Sequence, residues 1–210
     1  FKGKPLLAWS IDQAKKSDYY DQMRIIVSTD SNHYAKIAKN WGAEVPFLRP
    51  KELSGDKSTD YEFMKHAVEW LKKNENYKPD IILQLRPTQP CRKVEDIDKC
   101  LELFLKNRGK YDSLRTVIEF EKSPYKMYTI NCDKELEPIH REVNKVKEPY
   151  NQCRQILPKT YLHNGYIDIF NTEILKRGTI SGDIIYPYVM DKKDTIDIDN
   201  INDWDKAEFS

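Results

Sequence analysis

Apolar residues recur along this chain in two rhythms. Short, nearly unbroken runs at 81–85 and 23–28 read as strands buried on both faces, since neither face has to be wetted, while 113–120, 161–170 (interrupted by Asn164-Gly165) and 184–190 read as further strands. Between them, apolar positions return every three or four residues: Leu7, Ile11, Ala14; then Ile37, Ala38, Trp41, with Tyr34 one turn earlier. The same spacing joins Phe63, Ala67, Trp70 and Leu71, and later Val94, Ile97, Leu101 and Phe104, each set the inward stripe of a helix. Pro5 suits a first helical position, Thr29-Asp30-Ser31 can cap the second helix, Gly42 stops it, and Thr59-x-x-Glu62 forms a capping box. Residues 43–48 predict a short strand whose Pro46 suits an edge, residues 195–198 a last strand, and Trp204 and Ala207 a closing helix. Strands alternating with helices imply βαβ crossovers, so the expected fold is α/β with a mostly parallel, doubly wound sheet, 81–85 its central strand.

The rhythm fails between about 121 and 160, where charged residues follow no period. That stretch predicts a small α+β excursion of loops and short strands, a lid or dimerisation arm on a single domain covering 1–210. The chain also opens on a helix where an α/β domain normally begins on a strand, so an element upstream of Phe1 is expected.

Charge narrows the function classes. Lys and Arg number 35 against 34 Asp and Glu, a net charge of +1, so the overall balance marks no nucleic-acid or anionic-membrane binder. No apolar run approaches the ~20 residues that span a bilayer, and Phe1-Lys2-Gly3-Lys4 lacks the form of a signal peptide; a cytoplasmic protein is expected. Cys91, Cys100, Cys132 and Cys153 contain no C-x-x-C pair, and the four histidines are not paired at helical spacing, so free thiols and no zinc are expected.

Candidate chemistry sits at strand ends. After 81–85 come Arg86, Thr88, Gln89 and Arg92, in a loop stiffened by Pro87 and Pro90. Ligands of open α/β sheets bind outside the carboxyl ends of strands, so two guanidinium groups there form a candidate anion site; the alternative is a helix-entry turn with solvated arginines. In Ile196-Asp197-Ile198-Asp199, residues two apart share a face, so the two carboxylates project together while the isoleucines turn inward. Such a pair suits Mg²⁺, a hard cation that shares oxygen ligands with substrate phosphates; the alternative is a solvated edge strand. Asn164-Gly165 tolerates positive φ and allows a tight turn or a close approach to a ligand. Arg49, Lys126 and Arg154 are single loop cations of a kind that mostly only solvates.

Taken together the motifs resemble the acylneuraminate (nonulosonic acid) cytidylyltransferases, the family that includes CMP-sialic acid synthetase. The matching pieces, in family order over nearly the whole chain, are Gly3-Lys4-Pro5-Leu6-Leu7, Val27-Ser28-Thr29-Asp30, Leu48-Arg49-Pro50-x-Glu52-Leu53-x-x-Asp56 and Leu85-x-Pro87-Thr88-x-Pro90-x-Arg92. Arg154-Gln155-x-Leu157-Pro158, Asn164-Gly165 and Ile196-Asp197-Ile198-Asp199 follow. The resemblance implies a nucleotide-diphospho-sugar transferase-like, Rossmann-like fold and transfer of CMP from CTP to an acidic nine-carbon sugar. It implies that Arg49, Asp56, Ser58 and Thr59 lie beside the cytidine, and that Asp197 and Asp199 hold Mg²⁺, with Mn²⁺ as the substitute. It sets Lys126 and Arg154 near sugar and phosphates as catalytic cations, and Arg86, Thr88, Gln89, Asn164, Gly165 and Asp168 at the sugar. A homodimer is implied, because a family pocket includes residues of the partner subunit.

Three departures stand against the family pattern. Arg86 replaces a Gln and Gln89 a Ser; Asp168 stands where many sialic-acid members carry Tyr, which favours a legionaminic or pseudaminic acid; and the Gly-rich loop of the first strand would precede Phe1. Arg86 is expected to face the sugar carboxylate, the alternative being an ion pair with an acid such as Asp56 or Glu95. Two rivals share these features: a glycosyltransferase of the GT-A kind with a D-x-D metal site, and a non-catalytic nucleotide-binding module.

Overall fold

The computed structural model describes residues 1–208. Helix α1 (Leu6–Lys15) starts one residue after Pro5, which is the N-cap and not the first helical position, and buries Ala8, Ile11 and Ala14. Helix α2 (Asn32–Asn40) is capped by Ser31, whose hydroxyl accepts from the Tyr34 N–H at 3.4 Å. Its buried positions are Ala35 and Ala38, while Tyr34 is 56% exposed. Ala38 and Trp41 of the predicted stripe pack with Ile11 and Ala43, and Tyr34 lies outside this cluster. Helix α3 (Asp60–Glu75) has the predicted capping box between Thr59 and Glu62, and α4 (Val94–Lys106) buries the predicted Ile97, Leu101 and Phe104 together with Cys100. Helix α5 (Ile201–Glu208) closes the described chain, with Ala207 against Phe1 and Ile198.

The main sheet has four strands, β1 (Ile81–Gln84), β2 (Ser113–Glu119), β7 (Tyr161–Asn171) and β8 (Ile185–Met190), in the order β1-β7-β2-β8. β2 pairs with β8 in parallel, whereas β7 runs antiparallel to both β1 and β2. Three strands thus share one direction, and the fourth makes the sheet mixed. The predicted central strand is displaced: β7, not β1, lies inside the sheet, with residues 165–170 all buried and β1 only half-buried over its first three residues. The α4 crossover sets β1 and β2 one strand apart, and β7 fills the space from the opposite direction.

Three predicted strands, at 23–28, 43–48 and 195–198, are absent. Residues 23–28 reduce to one parallel bridge, Ile26 opposite Glu44, with Val27 N–H on Glu44 O (2.9 Å) and Glu44 N–H on Ile25 O (2.8 Å). The next rung would need an N–H from residue 46, which is proline. Residues 195–198 make no ladder, because Ile198 N–H is bonded to Thr88 O (2.9 Å) in the loop after β1. The segment from 121 to 160 forms two hairpins, β3 (Tyr128–Ile130) with β4 (Leu136–Pro138) and β5 (Glu142–Val143) with β6 (Val146–Lys147), linked by short 3₁₀ turns.

Helices cover both faces of the sheet. On one, Ile97, Cys100, Leu101 and Phe104 of α4 meet Leu114, Ile118 and Ile169. On the other, Tyr61, Met64 and Val68 of α3 meet Ile82 and Phe170. The second cover is partial: α3 packs over the Ile82–Phe170 pair, whereas on β8 Pro187 and Val189 stay exposed. All four cysteines are free thiols.

Candidate active site

The loop leaving the carboxyl end of β1 is fixed from beneath by Arg92. This side chain is 4% exposed; its Nε donates to Tyr166 O (2.6 Å), Nη1 to Gln13 Oε1 (2.9 Å) and Nη2 to Arg86 O (2.9 Å). Burial lowers its pKa to about 10, and no carboxylate is hydrogen-bonded to it among the described residues. Arg92 therefore spends its donors on the loop and α1, and is not half of an anion site. Gln89, 2% exposed, also points inward and donates to Asn164 O (2.8 Å).

Arg86 is the hub. Its Nη1 donates to Asp168 Oδ2 at 2.6 Å and its Nη2 to Asp60 Oδ2 at 2.6 Å; Asp60 also accepts from Gln84 Nε2 at 3.0 Å. Ion pairing is thus the alternative that the structure realises, with Asp60 and Asp168 as partners and not Asp56 or Glu95. Burial disfavours the charged guanidinium, but the two carboxylates outweigh it and raise its pKa. Asp60, the first residue of α3, is itself favoured there by the helix dipole.

Asp168 is 2% exposed and accepts on both oxygens: Oδ2 from Arg86, and Oδ1 paired with His163 Nε2 at 2.8 Å. Burial pushes its carboxyl up, yet His163 and Arg86 together hold it below the ordinary carboxylate value. His163 and Asp168 are five residues apart, a spacing that puts side chains on opposite faces of a regular strand. Here Asp168 faces Arg115 and Val117 faces His163, so two steps on β2 match five on β7. Three extra residues form a bulge that reverses the parity and brings both side chains to one face. Thr116 plugs this bulge: its hydroxyl accepts from Ile167 N–H (2.9 Å) and donates to Asn164 Oδ1 (2.7 Å). Gly165, at φ +64°, makes the turn, and a Cβ there would lie 3.3 Å from Arg86 Cδ.

Asp197 and Asp199 are exposed while Ile198 between them is buried, the alternation that the sequence predicts, carried by an irregular segment. Burial raises the pKa of Asp197, as does repulsion from Asp199 and Asp203; the hydroxyl of Thr88 and the charge of Arg86 oppose this. Two carboxylates that repel each other beside a loop suit a divalent cation. Among the described residues no group of three or more His, Cys, Asp or Glu could hold a metal ion. Two carboxylates alone are too few to complete a coordination shell, so any cation between them would need further oxygen ligands from outside the chain.

Of the expected cytidine-side residues, Arg49 stacks over the Phe63 ring (5.1 Å), and its Nε is buried without a hydrogen bond. Ser58 accepts from Gly55 N–H (3.1 Å), Thr59 caps α3, and Asp56 is exposed. Ser28 Oγ, His66 Nδ1 in α3 and Gln84 Oε1 at the end of β1 are likewise buried without a hydrogen bond. Lys126 and Arg154 are elsewhere, exposed in 3₁₀ turns of the 121–160 segment, with Lys126 Nζ on Gln152 O (2.5 Å). Among the described residues no ion pair or hydrogen bond ties either to Asp197 or Asp199.

Asp60, Arg115, Thr116 and His163 escape the sequence reading. Asp60 looks like a helix-start acid, Arg115 interrupts an apolar strand, and the bulge that assembles the rest has only Asn164-Gly165 as its trace.

The sequence profile of a cytidylyltransferase family matches residues 1–164. The chain is 32% identical over 207 residues to the post-translational flagellin modification protein B of Campylobacter coli, covering 97% of this chain and 83% of that one. It is 31% identical over 205 residues to the N-acylneuraminate cytidylyltransferase of Escherichia coli O18:K1:H7, again 97% of this chain, but it spans only 45% of that longer protein. Among solved structures, a CMP:2-keto-3-deoxy-manno-octonic acid synthetase complexed with CTP superposes with a TM-score of 0.66 at 12% identity, over 99% of this chain and 87% of that one, a likeness of fold. From the matched profile and these two relatives, the chain belongs to the cytidylyltransferase family.

Proposed function

We propose that this chain moves CMP from CTP to the anomeric hydroxyl of an acidic nine-carbon sugar of the sialic, legionaminic or pseudaminic type, releasing pyrophosphate. The observation that carries the reading is convergence at one strand end. Arg86 ties Asp60 of α3 to Asp168 of β7, and Thr88 O two residues on accepts the N–H of Ile198, between Asp197 and Asp199, at 2.9 Å. Cytidine-side, acceptor-side and carboxylate-pair candidates thereby share one loop. The Escherichia coli relative is named for N-acylneuraminate, an acid of this class.

In the reaction the sugar hydroxyl oxygen bonds to the α-phosphorus, the bond to the pyrophosphate oxygen breaks, and the hydroxyl proton leaves to solvent. Asp197 and Asp199 would hold Mg²⁺, or Mn²⁺ in its place, which would supply positive charge against the phosphates. Arg49 and the Asp56, Ser58, Thr59 turn take the cytidine. Thr88 and the Asn164-Gly165 turn line the acceptor side, whose shape is fixed by the Arg86–Asp168 ion pair and by Gln89 donating to Asn164 O. Lys126 and Arg154 act from the 121–160 arm on a partner subunit's phosphates in a cytoplasmic homodimer. Support for that arm comes from its exposed apolar residues, with Ile130 at 71%, Leu136 at 66% and Ile156 at 55%.

The full-length protein is tested for pyrophosphate release from CTP with N-acetylneuraminate, legionaminate and pseudaminate, alongside sedimentation for the dimer. Release with one or more acids, dependent on Mg²⁺, is the expected result. Nucleotide release from a nucleotide-sugar without pyrophosphate formation points to a glycosyltransferase, and CTP binding without turnover to a binding module.

A further inference from the structure

We propose that Arg115, in the middle of β2, is the residue that receives the carboxylate of the acidic acceptor. This assignment rests on the functional reading above and moves the specificity-determining cation from the loop after β1 to the open face of the sheet.

The argument starts from which cations are already satisfied. Arg86 has one terminal nitrogen on Asp168 and the other on Asp60, both at 2.6 Å, so its fork is filled from within the protein. Arg92 is buried and committed to backbone and amide oxygens. Arg115 differs from both. Its register partner on β7 is Asp168 and on β8 is Pro187, so all three side chains stand on the same face. Its Nε lies 3.7 Å from Asp168 Oδ1, beyond hydrogen-bond distance. That oxygen already has His163 at 2.8 Å, and the other oxygen of Asp168 has Arg86. Arg115 Nε is accordingly buried with no hydrogen-bond partner, and among the described residues the guanidinium has no nearer anion.

An arginine in this state lacks an acceptor, and a planar guanidinium is best matched by a carboxylate. The side chain keeps 23% of its surface in solvent, and the face beyond it is uncovered, Val189 opposite Val117 being 55% exposed. The neighbouring bulge, with Gly165 against Arg86 and His163 against Asp168, borders the same row. A monoanionic acid entering over the bulge meets in Arg115 a cation whose one long ion pair, to Asp168, leaves its hydrogen-bond donors unmatched. The Asp60–Arg86–Asp168 chain beside it offers no vacant positive group and repels a second anion.

Arg115→Gln and Arg115→Lys are compared with wild type by steady-state pyrophosphate release, using each acid that the wild type turns over and its methyl ester. The expected loss in kcat/KM for the acid is about 10- to 100-fold in Arg115→Gln, the scale of one charge-assisted hydrogen bond, with the KM for CTP unchanged. Arg115→Lys, which keeps the charge and loses the fork, falls between. The ester, already poor with wild type, loses little more in Arg115→Gln, so the acid-to-ester ratio drops toward one. An unchanged ratio in both variants, or an equal loss for CTP, overturns the assignment. If Arg115→Gln does not give a cooperative thermal melt, the Arg115→Lys ratio decides by the same criterion. No pyrophosphate with any acid and wild-type protein refutes the functional reading itself, and this assignment with it.

Discussion

Replacing Asp168 by Asn removes one charge from the centre of the site while keeping its shape. In the wild type the carboxylate takes Arg86 at 2.6 Å and His163 at 2.8 Å, with Arg115 at 3.7 Å, and its side chain is 3% exposed. Asn can accept on one oxygen only and turns an amide N–H₂ toward donors, so Arg86 keeps Asp60 alone. Removing one partner of a buried pair costs about 3–5 kcal/mol, whereas an exposed pair is worth about 0–1. Arg86 retains 25% of its side-chain surface in solvent, which places the expected loss between these limits, at roughly 2–4 kcal/mol. For a chain of this size, at about 2–4 °C per kcal/mol, the melting temperature falls by roughly 4–16 °C at pH 7. The sign with pH follows from the depressed carboxyl of Asp168. Its stabilisation is fully present above the unfolded carboxylate pKa near 3.9 and is lost as pH falls through the lower folded value. Circular-dichroism melts at pH 7, and urea midpoints between pH 4.5 and 3, measure both. The gap between wild type and variant should narrow only below about pH 4. A variant melting within about 2 °C of wild type at pH 7, less than the change for one kcal/mol, would refute the view that this network holds the bulge.

Asp197→Asn and Asp199→Asn should each lower Mg²⁺-dependent pyrophosphate release by about two decades or more, with melting temperatures near wild type because both side chains are exposed; equal turnover at low Mg²⁺ sinks the metal assignment. Gly165→Ala should cost about 1–3 kcal/mol, since the residue sits at φ +64° and its new methyl meets Arg86 Cδ at 3.3 Å; a loss under 0.5 kcal/mol in urea titration would show that Arg86 yields freely. Phe104→Ala, at a side chain 1% exposed between α4 and the sheet, should lose about 3–5 kcal/mol with an unchanged KM for CTP in the fraction that remains folded, as judged by melts and steady-state kinetics.

What was legible in the sequence was whatever local chemistry decides. The capping box at Thr59, the stripe of Ile97, Leu101 and Phe104, and the inward turn of Ile198 between two outward aspartates all follow from neighbours within four residues. Strand order was not, because nothing within residues 81–84 tells that β7 will come between them and β2. The strand expected at 23–28 had the right composition and failed for want of a partner, its one bridge ended by Pro46. The site was half legible. Its loop, its carboxylate pair and its glycine turn carry signatures, but the ion-pair partners come from 26 and 82 residues away along the chain. The face on which His163 lies depends on a bulge length that only the β2 register fixes.

Arg86 and Asp168, the two residues at which the resemblance implies a Gln and, in many members, a Tyr, look independent in the sequence and are one unit in the structure. A carboxylate at 168 beside a neutral Gln would leave a buried charge with His163 as its main partner. A guanidinium at 86 beside Tyr would keep Asp60 alone and lose its innermost partner. Each substitution supplies the counter-charge that the other needs, so either alone is costly where the pair is stable. The inference that Asp168 itself reads the acceptor therefore loses its ground. At 2% exposure, with both oxygens taken, Asp168 acts on a ligand only through the residues it orients: Arg86, held away from the acceptor, and Arg115, left without a hydrogen-bond partner of its own. On the proposed reading, discrimination between acids falls to Arg115, whose ion pair with Asp168 at 3.7 Å leaves its Nε without a hydrogen bond.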